Sequence, residues 1–213
     1  MKIYGFPLSP FVRKVQVALC EKGLDYDLEP TNPQQPSEAF AAASPFRKIP
    51  AMDDGGFLLA DSTAIITYLD AQYPGVDLLP PAPRARARAV WFEEVADTVL
   101  VPTGAPIVVN RFLRPRIFGT EGDEAAAVAA EQAIRTPLSY LESAVTDDGW
   151  LDGAFSVGDI AVASAIKTLS YAGWRLEAAE SPRMLAWYKR VCARQGWQRA
   201  AEREQAVFAA AGI

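Results

Sequence analysis

Histidine is absent from this chain of 213 residues. Without an imidazole, the sequence excludes a serine–histidine–aspartate triad, a histidine general base and histidine metal ligands. Two cysteines are present, Cys20 and Cys192, and their spacing fits neither a disulfide framework nor a metal site. We expect both to stay reduced, as in the cytoplasm, and we expect no bound metal. Any catalysis must therefore use hydroxyls, carboxylates, lysines, backbone dipoles or a cofactor.

Long apolar runs and an excess of basic residues are missing too. No stretch approaches the roughly 18 apolar residues of a membrane span. We expect no secretory signal, because the first residues show neither a basic start nor an apolar core segment. The net charge is −5 and the isoelectric point is about 4.9. Since nucleic-acid-binding proteins are usually basic, we expect no nucleic acid as a partner. Since no membrane span is found, we expect no membrane partner either. The 50% share of hydrophobic residues is ordinary for a globular protein with a core.

The first 75 residues alternate between strand and helix patterns. An Asp-Asp-Gly-Gly turn predicts a hairpin, and Gly23 is placed to end the first helix. The predicted order is β-α-β-α-β-β-α, over residues 2–6, 11–19, 25–29, 37–43, two strands within 49–62, and 62–73. This order predicts an α/β domain over residues 1–75.

The second half has a different pattern. Residues 74–83 hold four prolines, which predicts a linker, taken as 76–83. Helical apolar spacing then dominates residues 84–213, at 84–101, 122–146, 156–173 and 181–210. The sequence therefore predicts an all-α helical-bundle domain of about five helices there. Its segment with Pro102, Pro106 and Pro115 is expected to kink or break a long helix.

Ser9 has two interpretations. It stands directly before Pro10 and a helical pattern, and serine at the N-cap with proline at the first helical position is a favoured helix start. The same position suits chemistry, because the helix dipole and the free N–H groups favour an anion there. A hydroxyl at this point can donate a hydrogen bond to a bound thiolate and lower the pKa of the thiol. On local grounds the cap alone is favoured.

Two further motifs are individually unspecific. Ile49-Pro50 is a candidate cis peptide bond, with an ordinary trans proline at the start of an edge strand as the alternative. Asp61-Ser62 is either a plain helix cap or a site for an amino acid. In the second case Ser62 and backbone N–H groups hold an α-carboxylate, and Asp61 holds an α-ammonium. The order of the two motifs, with Ser9 upstream, is more specific than each alone.

Taken together, these motifs resemble the cytosolic glutathione transferases over essentially the whole chain. "SPFRKIPAM" (44–52) is similar to the family's cis-proline stretch, and "ADSTAIITYLD" (60–70) to its acidic-serine-x-alanine-isoleucine stretch. "FSVGDIAVAS" (155–164) resembles the capping box of a core helix in the family's all-α domain, with Ser156 and Asp159 as the box and Phe155 and Ile160 as a hydrophobic staple. The resemblance implies a thioredoxin-like N-terminal domain followed by an all-α domain.

The resemblance also implies roles. Ser9 falls where the phi, theta and zeta classes keep a catalytic serine, and "SPF" is similar to an omega-class motif with serine in place of cysteine. This substitution favours conjugation over thiol-disulfide exchange. Glutathione is then the co-substrate, paired with the backbone of Ile49 beside Pro50 and held at its γ-glutamyl end by Asp61 and Ser62. Lys48 either reaches the glycyl carboxylate or is a solvated lysine.

Three departures from the family pattern concern glutathione. The stretch "PQQPSEAF" (33–40) lacks the lysine that several classes use for the glycyl carboxylate, and Gln34 or Gln35 would have to replace it. Ser44 stands for the usual asparagine and Arg47 for the usual glycine. The second substrate is expected between the domains, walled by Leu8, Phe11, Arg111, Phe112, Tyr171 and Trp174, although core packing or surface exposure is the alternative for each. If Arg111 points into that site, it would suit an anionic or polarised electrophile.

The sequence thus predicts a cytoplasmic, homodimeric glutathione transferase of the serine type that conjugates glutathione to small electrophiles. One alternative is another glutathione-dependent enzyme on the same fold, such as an isomerase, a dehalogenase or an ether-cleaving enzyme. The other is a non-catalytic binding or interaction protein, because a fold alone does not establish an activity.

Overall fold

A mixed four-stranded sheet organises the first part of the chain. The computed structural model describes residues 1–145, 149–151 and 153–212. The strands lie in the order β2-β1-β3-β4, with β1 parallel to β2 and antiparallel to β3. They are β1 (Lys2–Tyr4), β2 (Asp27–Glu29), β3 (Ala51–Asp54) and β4 (Phe57–Ala60). Gly55 and Gly56 close the β3–β4 hairpin with positive φ angles, as the Asp-Asp-Gly-Gly turn predicts.

Helices make up most of the remaining chain. They are α1 (Pro10–Glu21), α2 (Glu38–Ala43), α3 (Ser62–Gln72), α4 (Pro83–Glu94), α5 (Val101–Val108), α6 (Glu124–Ala133), α7 (Arg135–Ala144), α8 (Val157–Tyr171), α9 (Pro182–Cys192) and α10 (Gln195–Ala211). The predicted fold class, an α/β thioredoxin-like part followed by helices, is confirmed. The predicted helix 122–146 is divided at Ile134 into α6 and α7, and its last residue lies outside the described residues.

Local signals at the ends of α1 act as predicted. Ser9 is the N-cap and Pro10 the first helical residue. At the other end Gly23 has a φ of 67°, in the left-handed region that favours glycine. Its N–H donates to the Cys20 carbonyl at 3.2 Å, and the N–H of Leu24 donates to the Leu19 carbonyl at 2.9 Å. This Schellman pattern satisfies carbonyls that the helix end leaves unpaired.

The chain divides into two units, and the boundary differs from the predicted domains. The first unit joins Met1–Leu79 with Ala193–Ile213, and the second is Pro80–Cys192. Helix α10 therefore belongs with the sheet and α1, whereas the sequence analysis assigned it to the all-α domain. Part of the predicted linker also belongs to the first unit, because the Asp70 carboxylate accepts hydrogen bonds from the Leu78 and Leu79 N–H groups at 2.9 and 3.1 Å.

The prolines of the second unit do not break its helix. Helical structure runs without interruption from Pro83 to Phe118, and Val95–Leu100 and Val109–Phe118 are π-helical. Proline lacks an N–H and normally disturbs an α-helix. Wider π turns change the hydrogen-bond spacing, and the Asn110 side-chain amide donates to the Pro106 carbonyl at 2.9 Å. Of the two expected effects of the prolines, the break does not occur, and the kink stays a prediction.

Candidate glutathione site

The sheet register brings the sequence motifs to one edge. Tyr4 at the end of β1 pairs with Ala51 at the start of β3, and Ala51 pairs with Ala60 at the end of β4. The loop after β1, the Ile49-Pro50 step before β3 and Asp61 after β4 therefore leave the sheet at the same edge. A hydrogen bond from the Asp61 N–H to the Pro50 carbonyl, 3.3 Å long, joins two of them directly.

Ser9 occupies a half-buried position at the start of α1. A turn precedes it, closed by a hydrogen bond of 3.0 Å from the Ser9 N–H to the Phe6 carbonyl. Its Oγ accepts from the Val12 N–H at 3.5 Å, the upper limit for such a bond, so the cap is present but weak. The hydroxyl donates no hydrogen bond to a described residue. Its proton is therefore available to an anion at the N-terminus of the helix.

Gly5 is a site residue that the sequence analysis missed. A Cβ atom on Gly5 would lie 2.5 Å from Cγ2 of Val12, closer than real Cβ contacts come. Only glycine lets the strand end pass so near the first turn of α1. The available signal was a glycine inside the predicted strand 2–6, which marks a close approach of the backbone.

The Ile49-Pro50 peptide bond is cis, as the sequence analysis suggested it could be. Ile49 is half-buried and packs against the core cluster around Tyr4 and Phe40. Neither its N–H nor its carbonyl hydrogen-bonds to another described residue. The backbone of Ile49 is therefore able to pair with an extended peptide.

Ser44 and Arg47, which depart from the family pattern in the loop before Ile49-Pro50, each have a structural explanation. The hydroxyl of the buried Ser44 donates to the Lys48 carbonyl at 2.7 Å and accepts from the Lys48 N–H at 2.9 Å. One serine thus supplies both the donor and the acceptor that close the loop. Arg47 has a φ of 55°, the left-handed conformation in which glycine is unstrained, and that is the residue type it replaces.

Asp61 and Ser62 begin α3 in an unusual conformation. Asp61 has φ 83° and ψ 130°, a strained combination for a residue with a Cβ. Its Oδ1 caps the helix by accepting from the N–H groups of Thr63 and Ala64 at 2.9 and 3.1 Å. Oδ2 makes no hydrogen bond to a described residue, and neither does the hydroxyl of Ser62, which is 2% exposed. Oδ2 of Asp61 and the hydroxyl of Ser62, on consecutive residues, therefore both remain able to bind a ligand.

The comparisons with known proteins agree with this geometry. The family model for the N-terminal domain of glutathione S-transferase matches residues 3–77. The chain is 31% identical to a glutathione S-transferase of Hyoscyamus muticus over 96% of this chain and 99% of that one. It belongs to the glutathione S-transferase family. The family's enzymes use glutathione, and this chain is a transferase.

Solved structures are similar over almost the whole transferase. The structure of glutathione S-transferase III in its apo form has a TM-score of 0.80 at 32% identity and covers 94% of this chain and 95% of that one. A maleylacetoacetate isomerase of Methylobacterium extorquens, solved with malonate and glutathione, has a TM-score of 0.76 at 29% identity, with the same two coverages of 94% and 95%.

The remaining predicted site residues of the transferase are distributed over both units. Lys48 and Gln35 are exposed in the first unit, and their side chains bond to no described residue. Leu8 and Phe11, also in the first unit, are half-buried beside Ser9. These four positions stay predictions.

In the second unit the predicted wall residues fall into three environments. The rings of Phe112 and Tyr171 lie against each other, with 5.8 Å between centroids. Trp174 instead lines a cavity of about 280 Å³ together with Leu138 and Arg135. Phe112 and Tyr171 do not line this cavity. Arg111 forms ion pairs with Glu124 and Glu131, whose carboxylates raise the pKa of its guanidinium. With two carboxylates on one guanidinium, Arg111 carries no uncompensated charge for an anionic electrophile.

Along the part of the chain that the structure describes, no helix is long and apolar enough to cross a membrane.

Proposed function

We propose that this transferase conjugates the thiolate of glutathione to small electrophilic substrates, with Ser9 stabilising the thiolate. The observation that carries the proposal is the Ser9 hydroxyl, which caps α1 with its oxygen and keeps its proton available. It stands at the sheet edge that Ile49-Pro50 and Asp61 share. A thiolate there accepts one hydrogen bond from Ser9 and gains from the positive end of the helix dipole.

The same edge offers groups for each part of the tripeptide. The unused Oδ2 of Asp61 suits the γ-glutamyl ammonium, and the unused hydroxyl of Ser62 suits its carboxylate. The backbone of Ile49 pairs with the cysteinyl residue and directs its sulfur toward Ser9. The exposed side chains of Lys48 and Gln35 bind the glycyl carboxylate in this proposal.

The chemical step follows from these roles. The thiolate sulfur attacks an electrophilic carbon, the new C–S bond forms with the sulfur electron pair, and the leaving group departs with the electrons of its bond to carbon. Ser9 only holds the nucleophile and forms no covalent intermediate. Thiol-disulfide exchange has no support, because the site has no cysteine and burial raises the pKa of both free cysteines.

The proposed second-substrate residues that carry apolar surface are Leu8 and Phe11 in the first unit, and Phe112 and Tyr171 in the second. The apolar character of these four residues favours an apolar electrophile over an anionic one. We further propose that the protein is cytoplasmic, where glutathione and free thiols coexist, and that it is a homodimer.

A titration of bound glutathione tests the proposal. Thiolate absorbance near 240 nm is followed against pH for wild type and Ser9→Ala, with glutathione saturating. We expect the wild type to lower the pKa of the thiol from about 8.5 by one to two units, and Ser9→Ala to reverse most of that shift. Turnover should fall at least tenfold, since each pKa unit corresponds to roughly 1.4 kcal/mol. Glutathione affinity should change little.

The alternatives give different results. Equal turnover in wild type and Ser9→Ala would overturn the role of Ser9. Glutathione that binds with an unshifted thiol pKa, or that does not bind, would overturn that role as well and favour a carrier or interaction protein. An isomerase is the second candidate function, favoured by the similarity to the glutathione-bound isomerase structure. It would convert a cis alkene diacid without consuming glutathione, whereas conjugation consumes one glutathione per turnover.

A further inference from the structure

A buried ion pair joins the first and last helices of the first unit close to Ser9. The guanidinium of Arg13 in α1 and the carboxylate of Glu204 in α10 are 3% and 6% exposed as side chains. Arg13 Nε donates to Glu204 Oε2 at 2.8 Å, and Nη2 reaches the same oxygen. Because a buried pair gains little net stability over apolar packing, its presence calls for another explanation.

Arg13 also holds the loop that carries Ser9. Its Nη2 donates to the carbonyl of Pro7 at 2.8 Å, and this bond is buried. Pro7 is the second residue of the turn Phe6–Ser9. Side chains in a helix lean toward its N-terminus, so Arg13, four residues after Ser9, covers the start of α1 and the turn before it. Glu204 in turn fixes the orientation of the guanidinium.

Helix α10 holds the same turn at a second point. The ring of Phe208 stacks on the ring of Phe6, with 5.8 Å between centroids and 30° between planes. Phe208 follows Glu204 by four residues, so both side chains lie on one face of α10. That face therefore contacts the first residue of the turn directly and the second through Arg13.

We infer that Arg13 and Glu204 are positioning residues for Ser9, with Phe208 as their apolar support. They hold the Phe6–Ser9 turn so that the Ser9 hydroxyl is directed at the bound sulfur. This inference rests on the proposed role of Ser9 and extends it, because it makes the C-terminal helix part of the catalytic apparatus. Neither residue touches glutathione in this proposal.

The first unit contains a matched control. Glu21 at the last turn of α1 and Arg194 directly before α10 form another ion pair, with Nη2 to Oε2 at 2.7 Å and Nε to Oε1 at 2.9 Å. Like the pair Arg13–Glu204, this pair joins α1 to α10. It lies twelve residues along α1 from Ser9, about 18 Å at 1.5 Å per residue. Loss of this pair should loosen the same helices without releasing the turn.

The experiment compares two double variants of the full chain. Arg13→Gln with Glu204→Gln removes the first pair without leaving a lone buried charge, and Glu21→Gln with Arg194→Gln removes the second. The readouts are the thiol pKa of bound glutathione, and kcat and KM with 1-chloro-2,4-dinitrobenzene as the electrophile. Circular dichroism and urea unfolding report on the fold.

We expect the Arg13 and Glu204 double variant to raise the thiol pKa toward the value for Ser9→Ala. Its kcat should fall about tenfold while KM for glutathione stays within about twofold, since misplacement of a catalytic group affects the rate more than binding. The Glu21 and Arg194 double variant should keep the wild-type thiol pKa and kcat. Phe208→Leu should shift the thiol pKa in the same direction by a smaller amount.

Two results would overturn the inference while the role of Ser9 stands. One is a folded Arg13 and Glu204 variant with the wild-type thiol pKa and kcat, and the other is an equal shift in both double variants. If the first double variant does not fold, an unshifted thiol pKa in Phe208→Leu overturns it instead. If the wild-type protein leaves the pKa of the glutathione thiol unchanged, the proposed role of Ser9 is overturned, and this inference with it.

Discussion

Arg47 has a backbone conformation that an L-residue adopts at a cost. Its φ of 55° lies in the left-handed region, and its N–H donates to the Ser44 carbonyl at 2.9 Å to close the turn. We expect Arg47→Gly to raise the free energy of unfolding by about 0.5 kcal/mol, because relief of strain of roughly 1 kcal/mol or more exceeds the added entropy cost of glycine. Urea denaturation measures the difference.

Lys48→Gly is the matched control for this prediction, since Lys48 is not among the residues with a positive φ. Glycine there should lower the free energy of unfolding. A lowered stability for Arg47→Gly as well would mean that the arginine side chain contributes contacts that outweigh the strain.

Single residues were also where the sequence was most informative. Ser9, Gly23 and Asp61 act at helix ends through hydrogen bonds to neighbours a few positions away, so their roles follow from local patterns. Gly5 and Arg13 could not be interpreted in this way. Their importance depends on contacts with Val12 across a loop and with Glu204, which is 191 positions distant.

Helix α8 depends on a buried capping box, as the sequence analysis predicted. Asp159 is fully buried, and its carboxylate accepts from the Ser156 N–H at 3.0 Å, the Leu151 N–H at 3.0 Å and the Trp187 indole at 2.7 Å. The Ser156 hydroxyl caps the helix at Gly158 N–H, 3.3 Å away. The predicted staple of Phe155 and Ile160 stays a prediction, and Phe155 packs against Trp150.

Removal of the two members of the box should have unequal effects. Ser156→Ala loses one cap and should lower the free energy of unfolding by about 1 kcal/mol. Asp159→Ala leaves several buried donors unpaired and should lower it by about 3 kcal/mol or more, given 1–3 kcal/mol for each unsatisfied group. Denaturant unfolding of both variants is the measurement. Equal losses would mean that the indole and the Leu151 N–H find other partners.

At the same scale, the segment from Pro83 to Phe118 shows why helix ends are difficult to predict from proline alone. A proline removes one N–H donor, but whether the helix ends depends on what replaces that bond. Here π-helical stretches change the hydrogen-bond spacing and the helix continues, and no pattern of neighbouring residues in the sequence predicts them.

For the molecule as a whole, the largest difference from expectation is the position of α10. Helical spacing identified the helix correctly, and its C-terminal location in an all-α half suggested membership of that half. The ion pairs Arg13–Glu204 and Arg194–Glu21 instead attach it to α1. Charged residues on two distant helices do not reveal in the sequence that they are partners, so the grouping required the structure.

Phe46 is an exposed aromatic residue that could lie at the interface of the proposed homodimer. The side chain is 85% exposed, the most exposed of the large hydrophobic residues in the described chain. It stands in the turn after α2, and the double hydrogen bond of Ser44 to Lys48 closes the loop around it. An aromatic ring presented by a closed loop loses little conformational entropy when a partner covers it, which favours a role at an interface between two copies.

Phe46→Ser should therefore weaken the proposed homodimer. Loss of a buried phenyl ring corresponds to about 2 kcal/mol, and a symmetric dimer loses one ring from each copy, so the total of about 4 kcal/mol raises the dimer dissociation constant roughly a thousandfold. Sedimentation equilibrium over a range of protein concentrations measures the constant. Phe118→Ser, at a ring that is 58% exposed in the second unit, is the matched control and should leave the constant unchanged. A wild type that sediments as a monomer throughout, or a constant unaffected by Phe46→Ser, would contradict the role of Phe46.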